Sequence, residues 1–325
     1  MAYQVLVTAR SFSKVSGPHQ DYLTQHDCEI HVRAQANPMT AAELRQIIAG
    51  YDGAILGLDI CDASVIEAAD RLKVISRYGA GVDTVDLDAA ARRGIPVTNT
   101  PGANKIAVAE LTIGLIFALA RSLPQAAAGA RHNQWLRSPG WELTGKTLGL
   151  IGLGAIGREV AARALALGMR VLGYDPYTNS PLDTIESVDL PTLLSTAHVV
   201  SLHCAATPET DNLINAERIA QMRDGAYLIN TARGSLVDEE ALHQALTSGK
   251  LAGAALDVFR QDPPNDHPLL KLDNCIGTPH LGATTTESVQ RMALMAAQNL
   301  VAVLHGDPCE FIVNTQALKQ YRTQS

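Results

Sequence analysis

The sequence predicts an α/β protein of two lobes, each a parallel β-sheet flanked by helices. Three observations predict it. The chain has 325 residues, enough for two domain-sized cores. Short runs rich in Val, Ile and Leu alternate with helical segments of about ten residues, which right-handed crossovers join into parallel sheets. The alternation runs through twice, interrupted by Pro101-Gly102 and a long apolar stretch.

The first series reads as five strands: YQVLV around Val5, CEIHVR around Ile30, GAILGL around Ile55, KVISR around Ile75 and IPVTN around Val97. Between them, TAAELRQIIAG and VDLDAAARRG each end in a glycine suited to stopping a helix. After Pro101-Gly102 an apolar helix is expected from Asn104 to Arg121, the kind of element that links two lobes or packs in a dimer interface. The second series runs through KTLGLIGLG, MRVLGYD, HVVSLH, AYLINT, KLAGAALDVF and NCIGTPH. A last helix, Thr285 to His305, leads into a tail with FIVN, placed to cross back over the first lobe. The expected domains are therefore residues 1–101 with 291–325, and residues 102–290.

Composition narrows the partners. Hydrophobic residues make up 46% of the chain and charged residues 18%, an ordinary globular balance. The net charge of −7, without basic clusters, argues against nucleic acid and against an anionic membrane surface, leaving small molecules as the expected partner class. The five cysteines are scattered and form no CxxC pair, so neither a disulfide framework nor a metal site is indicated, and a cytoplasmic location is expected. The opening MAYQVLVTAR reads as a strand, not a signal peptide. The longest apolar stretch, Ile106 to Ala120, is interrupted by Glu110 and too short to span a bilayer.

The sharpest local signal is Gly152-Leu153-Gly154-Ala155-Ile156-Gly157, set between the strand TLGLI and the helical run REVAARALALG. In that context the glycines permit a tight turn and close backbone approach, so N–H groups at the helix start can hold a pyrophosphate. Asp175 closes the next strand, where its carboxylate can accept hydrogen bonds from ribose hydroxyls; it would repel a 2′-phosphate, which favours NAD over NADP. Arg233, Asp262 and His280 stand at the ends of later strands, where open α/β sheets bind ligands. Singly, each has a plain alternative: a solvated loop arginine, a turn-capping aspartate, a structural histidine. Together they offer a guanidinium for a carboxylate, an imidazole for proton transfer and an acid to orient it. Asp238 and Gly249 are expected to cap the two ends of the helix after Arg233.

With these motifs in place the chain resembles the D-isomer-specific 2-hydroxyacid dehydrogenases, most closely their phosphoglycerate dehydrogenase branch. RYGAGVDTVDLDAAARRGIPVTNTPGAN, VAELTIGLIFALAR, ELTGKTLGLIGLGAIGREVA, GYDPY, INTARGSLVDEEAL, ALDVFRQDPP and TPHLGA stand in that family's order over nearly the whole length. The resemblance implies two Rossmann-like or flavodoxin-like lobes of the formate/glycerate dehydrogenase type, NAD as cofactor and a small 2-hydroxy or 2-keto acid as substrate. It implies that Arg233 holds the substrate carboxylate and carbonyl, that His280 is the general acid/base, and that Asp262 stands where the family usually has a glutamate. Asp is shorter by one methylene, about 1.5 Å, so a backbone shift or a bridging water is expected between it and His280.

The same resemblance assigns the turn Gly79-Ala80-Gly81-Val82, with Asn104, to the substrate carboxylate, and sets Arg77 and Lys105 beside it as candidates for a second anionic group. In the other lobe it assigns Ile156 and Arg158 to the pyrophosphate, Thr207, Thr231 and Ala232 to the length of the cofactor, and Asp257 to the nicotinamide carboxamide. His203 is assigned to the adenosine half, with a buried strand-end histidine as the alternative. Arg137 corresponds to an arginine that the branch sends to a neighbouring subunit, and a homodimer built through the cofactor lobes and the helices between Asn104 and Asn133 is implied. Gly57 stands where the branch tends to carry a phosphate-binding arginine, which keeps glyoxylate and hydroxypyruvate open as substrates beside 3-phosphoglycerate. The branch's regulatory domain has no counterpart here, so serine feedback is not expected. An NAD-sensing corepressor-like module is the competing reading from another class; a formate-oxidising relative is disfavoured because that group's glutamine is replaced by Asp262.

Overall fold

The computed structural model describes residues 2–135, 137–177 and 184–322, and divides into two compact units, residues 1–104 with 284–325 and residues 105–283. These divisions fall at 104/105 and 283/284, where the sequence reading put them at 101/102 and 290/291. The reason is that two long helices stay whole. One starts at Lys105, and the other starts at Thr286 under the side chain of Thr285, which accepts from Ser288 N–H.

Unit 1 contains β1 (Tyr3–Val7), α1 (Arg10–Lys14), α2 (Pro18–Gln25), β2 (Cys28–Val32), α3 (Ala41–Ile47), β3 (Gly53–Leu56), α4 (Ala63–Ala68), β4 (Val74–Arg77), α5 (Leu87–Arg92) and β5 (Val97–Thr98). All pairs are parallel, in the order β2-β1-β3-β4-β5. Every residue of β3 and β4 is buried, as a parallel sheet covered on both faces requires. Side chains start the helices: Thr40 and Glu43 form a capping box on α3, Asp62 caps α4 and Asp86 caps α5. Gly50 and Gly94, at φ 83° and 68°, supply the left-handed residues after α3 and α5.

Unit 2 contains α6 (Lys105–Ala120), α7 (Leu123–Arg131), β6 (Thr147–Ile151), α8 (Ala155–Ala166), β7 (Arg170–Tyr174), β8 (Glu186–Ser187), α9 (Leu190–Thr196), β9 (Val199–Leu202), α10 (Ala216–Gln221), β10 (Ala226–Asn230), α11 (Glu239–Ser248), β11 (Leu251–Leu256) and β12 (Cys275–Gly277). Its parallel sheet runs β12-β11-β10-β9-β6-β7-β8. Counted from its own first strand this is the dinucleotide-binding order 3-2-1-4-5-6 extended by one strand, and the order reverses between β6 and β9. Asp238 accepts from Ala241 N–H at 3.0 Å to start α11, and Gly249 ends it at φ 79°.

The chain then returns to unit 1 as α12 (Thr286–His305) and α13 (Thr315–Arg322). α12 packs on the sheet, where Ser76 Oγ donates to Ala296 carbonyl at 2.9 Å. The FIVN segment does cross back. Val313 N–H donates to Val97 carbonyl at 2.8 Å, and the Asn314 amide accepts from Val97 N–H and donates to Ile95 carbonyl. No single helix among the described residues is long and apolar enough to cross a membrane; α6 and α7 reach that composition only as a pair bent by 65°.

Candidate active site

The glycine turn occupies the switch point of unit 2, at the C-terminal end of β6. Gly152 has φ 98°, and a Cβ there would stand 2.6 Å from Cys204 N; a Cβ on Gly157 would collide with Gly152 O. Only glycine allows the strand, the turn and α8 to come this close. Gly154 is the N-cap of α8, with no side-chain cap and no acidic residue in the first turn, so the leading N–H groups suit an anion from outside. Ile156 is half-buried in that turn. Arg158 is exposed, its Nε donating to Leu153 carbonyl at 2.9 Å. Asp175, after β7, accepts from Leu153 N–H at 2.8 Å and from Tyr177 N–H at 2.9 Å, which ties the two loops together and leaves a carboxylate beside the turn. These residues fit a dinucleotide.

His203 lies across the switch point, at the end of β9. Its Nε2 shares a hydrogen bond with Ser201 Oγ at 2.9 Å and its Nδ1 is buried without a partner. Burial pushes its pKa down to about 3, so the ring is neutral. Cys204 beside it is pushed up to about 11, by burial first and then by the Asp175 charge, and stays a thiol. Thr207 is exposed and braces the turn that follows, its N–H donating to Thr210 Oγ1 at 2.8 Å.

The loops that carry Arg233, Asp262 and His280 follow three neighbouring strands. Asn230, Leu256 and Gly277 are register partners across β10, β11 and β12, so the three loops begin side by side. Thr231 is turned inward, its hydroxyl 3.0 Å from Thr112 Oγ1. Arg233 follows, with Nη1 donating to the carbonyl of Ala232 at 2.8 Å. His280 Nδ1 and Asp262 Oδ2 are 2.7 Å apart, both side chains about 70% covered. Asp262 therefore reaches the imidazole directly, so that of the two routes the sequence reading allowed, a backbone shift or a bridging water, the water is not needed. His280 is held at φ 53°, the left-handed region that costs a non-glycine residue about 1 kcal/mol or more.

Asp257 explains how that backbone is held. It is 1% exposed, and its carboxylate accepts from Thr278 Oγ1 (2.6 Å), Leu281 N–H (2.7 Å) and Gly282 N–H (2.7 Å), while its carbonyl accepts from His280 N–H (3.0 Å). The carboxylate wraps the histidine loop, a role the sequence reading did not give it. Two further supports were missed. Asn230, 1% exposed, donates to Arg233 carbonyl at 2.8 Å and accepts from Ala232 N–H at 3.0 Å, fixing the arginine loop. Glu239 accepts from Arg260 N–H at 2.8 Å and pairs with His267 at 3.1 Å, clamping the loop that carries Asp262. The signals were faint: an asparagine at a strand end, and a glutamate in the first turn of α11.

The remaining predicted residues belong to unit 1, except Lys105 and Arg137, which belong to unit 2. Arg77 ends β4, is 3% exposed and donates Nη1 to Tyr78 carbonyl, with its guanidinium under Gly79. Gly79 has φ 145°. Ala80, Gly81 and Val82 follow, half-buried, with Ala80 carbonyl accepting from Asn99 Nδ2 at 2.7 Å. Asn104 has a buried Oδ1 without a partner. Lys105, a candidate for a second anion, instead pairs with Glu159 at 2.9 Å, and with Arg163 holds that carboxyl below its usual range. Arg137 is exposed.

A glycine turn under a helix N-terminus at the sheet's switch point defines unit 2 as a dinucleotide-binding unit. Residues 113–282 match the family model for the NAD binding domain of D-isomer specific 2-hydroxyacid dehydrogenases, and the chain belongs to that family. It is 48% identical over 264 residues to the D-3-phosphoglycerate dehydrogenase of Methanocaldococcus jannaschii, covering 79% of this chain and 50% of that one. It is 45% identical over 305 residues to the glyoxylate reductase of Thermofilum pendens, covering 90% of both. The solved structure of the TT0316 protein from Thermus thermophilus superposes with a TM-score of 0.87 at 44% identity, over 95% of this chain and 99% of that one. The chain thus spans about half the length of phosphoglycerate dehydrogenases it matches.

Proposed function

We propose that the chain is an NAD-dependent D-2-hydroxyacid dehydrogenase acting on a small anionic 2-hydroxy or 2-keto acid, in the phosphoglycerate dehydrogenase-like group, with glyoxylate or hydroxypyruvate reduction as the alternative within it. The observation that carries this is the direct His280–Asp262 pair beside the Arg233 loop, on the same sheet end as the glycine turn. With Nδ1 held by Asp262, Nε2 takes the hydroxyl proton during oxidation and returns it during reduction. Arg233 pairs with the carboxylate and stabilises charge developing on the C2 oxygen. When bound, NAD would supply the hydride acceptor for C2 in oxidation and NADH the donor in reduction. Gly152, Gly154, Ile156, Gly157 and Arg158 hold the pyrophosphate, and Asp175 selects NAD by repelling a 2′-phosphate. Thr207, Thr231, Ala232 and His203 line the cofactor; Asp257 meets its carboxamide end chiefly by shaping the histidine loop. In unit 1, Ala80, Gly81, Val82 and Asn104 receive the substrate carboxylate above the buried Arg77. The working form is a homodimer in the cytoplasm.

The test is loss of NADH absorbance with glyoxylate, hydroxypyruvate and 3-phosphohydroxypyruvate. At least one is reduced, and His280→Ala lowers kcat by about 10²–10⁴-fold while leaving NADH affinity in place. Tight NADH binding with no turnover of any of the three would replace this reading with an NAD-responsive binding protein.

A further inference from the structure

Open α/β sheets bind ligands outside the strand ends where the order reverses. In unit 1 that point lies between β1 and β3, and the chain's own carboxylate is there. Asp59 is 3% exposed. Its oxygens accept from Thr8 Oγ1 after β1 (2.5 Å), from Gly57 N–H after β3 (3.0 Å) and from Met39 N–H (2.8 Å). The donors that such a crevice would offer an incoming anion are thus directed at an internal one. A larger residue beside it would be tightly held: a Cβ on Gly57 would stand 3.3 Å from both Ala9 Cα and Asp59 Oδ2, close enough that one of them must give way by a few tenths of an ångström.

The neighbouring strand end carries the opposite charge. Leu56 and Arg77 are register partners, and Tyr78 N–H donates to Leu56 carbonyl at 2.9 Å, so the Gly57–Asp59 loop adjoins the Gly79–Val82 turn. Adjacent strands lie about 4.8 Å apart. Buried Arg77 therefore places a cation under the turn, and Asp59 places a buried anion one strand away.

We propose that Asp59 is a specificity-determining residue that restricts the substrate to one anionic group, so that unphosphorylated 2-oxo acids such as hydroxypyruvate are preferred over 3-phosphohydroxypyruvate. This rests on the proposed binding of the substrate carboxylate at Gly79–Val82. A carboxylate bound there gains from Arg77, whereas a phosphate further along the same molecule meets the Asp59 charge well within a screening length and finds its backbone donors taken. A hydrogen or a hydroxyl at that end carries no such penalty.

The experiment compares kcat/KM for hydroxypyruvate and 3-phosphohydroxypyruvate in the wild type, Asp59→Asn and Asp59→Ser, with thermal melts to establish folding. The wild type favours hydroxypyruvate by about tenfold or more, and either folded variant narrows that ratio by about tenfold through a lower KM for the phosphorylated substrate. A carboxylate that only braced its loop would lower both values together and leave the ratio as it was, which overturns the proposal; a wild type that prefers the phosphorylated substrate overturns it too, and decides the matter even if neither variant folds. A wild type that reduces neither substrate, nor glyoxylate, defeats the dehydrogenase reading itself.

Discussion

At the scale of single residues, shape and burial decide chemistry that composition leaves open. Asp262 is one methylene shorter than glutamate, yet it meets His280 Nδ1 at 2.7 Å, so the orienting charge is retained without an intermediary. His203 shows the reverse case, a titratable group silenced by its surroundings. Burial holds its folded-state pKa at about 3, well below the ordinary 6.5. Below pH 6.5 the unfolded chain takes a proton that the folded chain refuses, so this residue lowers stability as pH falls from about 6.5 to about 3 and contributes no slope above that window. His203→Gln keeps a hydrogen-bonding group for Ser201 Oγ and removes the titration. Urea unfolding of wild type and variant at pH 7 and pH 4.5 is expected to show the wild type losing about 2–3 kcal/mol more than the variant. Equal losses would mean that the ring protonates in the folded state.

At the scale of elements, the loops after β10, β11 and β12 act as one unit because buried side chains tie them to each other. Asp257 is the centre of that unit for the histidine loop, and Asp257→Asn keeps its size while turning one acceptor into a donor that faces N–H groups. Each buried N–H left unsatisfied costs about 1–3 kcal/mol, which is enough to release the left-handed His280. We expect kcat to fall by about 10–100-fold, and by a larger factor than the KM for NADH rises; a pure rise in that KM would make Asp257 a cofactor ligand alone. Much of this architecture was legible in the sequence. Alternation of apolar runs and glycine stops located eleven of the strands and the ends of α3, α5 and α11, because burial on both faces and helix termination are local demands on composition. The two-residue β8 escaped because Glu186 and Ser187 are exposed and carry no pattern. Arg233, Asp262 and His280 were legible as polar residues at strand ends, and the family resemblance gave them roles. Asn230 and the wrapping by Asp257 were not, since they depend on which strands become neighbours, and strand order is not written in local spacing.

At the scale of the whole molecule, unit 2 presents an apolar surface that its own fold does not cover. α6 is apolar nearly all round, a composition that soluble proteins bury on every side. Yet Ile106 and Phe117, three turns apart and so on one face, are each 38% exposed, and Leu123 and Trp135, further along the chain, are exposed at 50% and 74%. Covering what remains exposed of each such side chain is worth about 0.5–2 kcal/mol, and a second copy of this chain is the occupant that the proposed homodimer supplies, through an isologous contact in which each copy's helix meets the other's. Phe117→Glu combined with Leu123→Glu places four charges in that contact per dimer, two from each chain. Light scattering behind size exclusion is expected to give a dimer mass for the wild type and a monomer mass for the double variant at micromolar concentration, with the variant's melting profile showing a folded chain. A wild type that elutes as a monomer at the same concentration removes the dimer from the proposal and leaves the apolar face of α6 to a different partner.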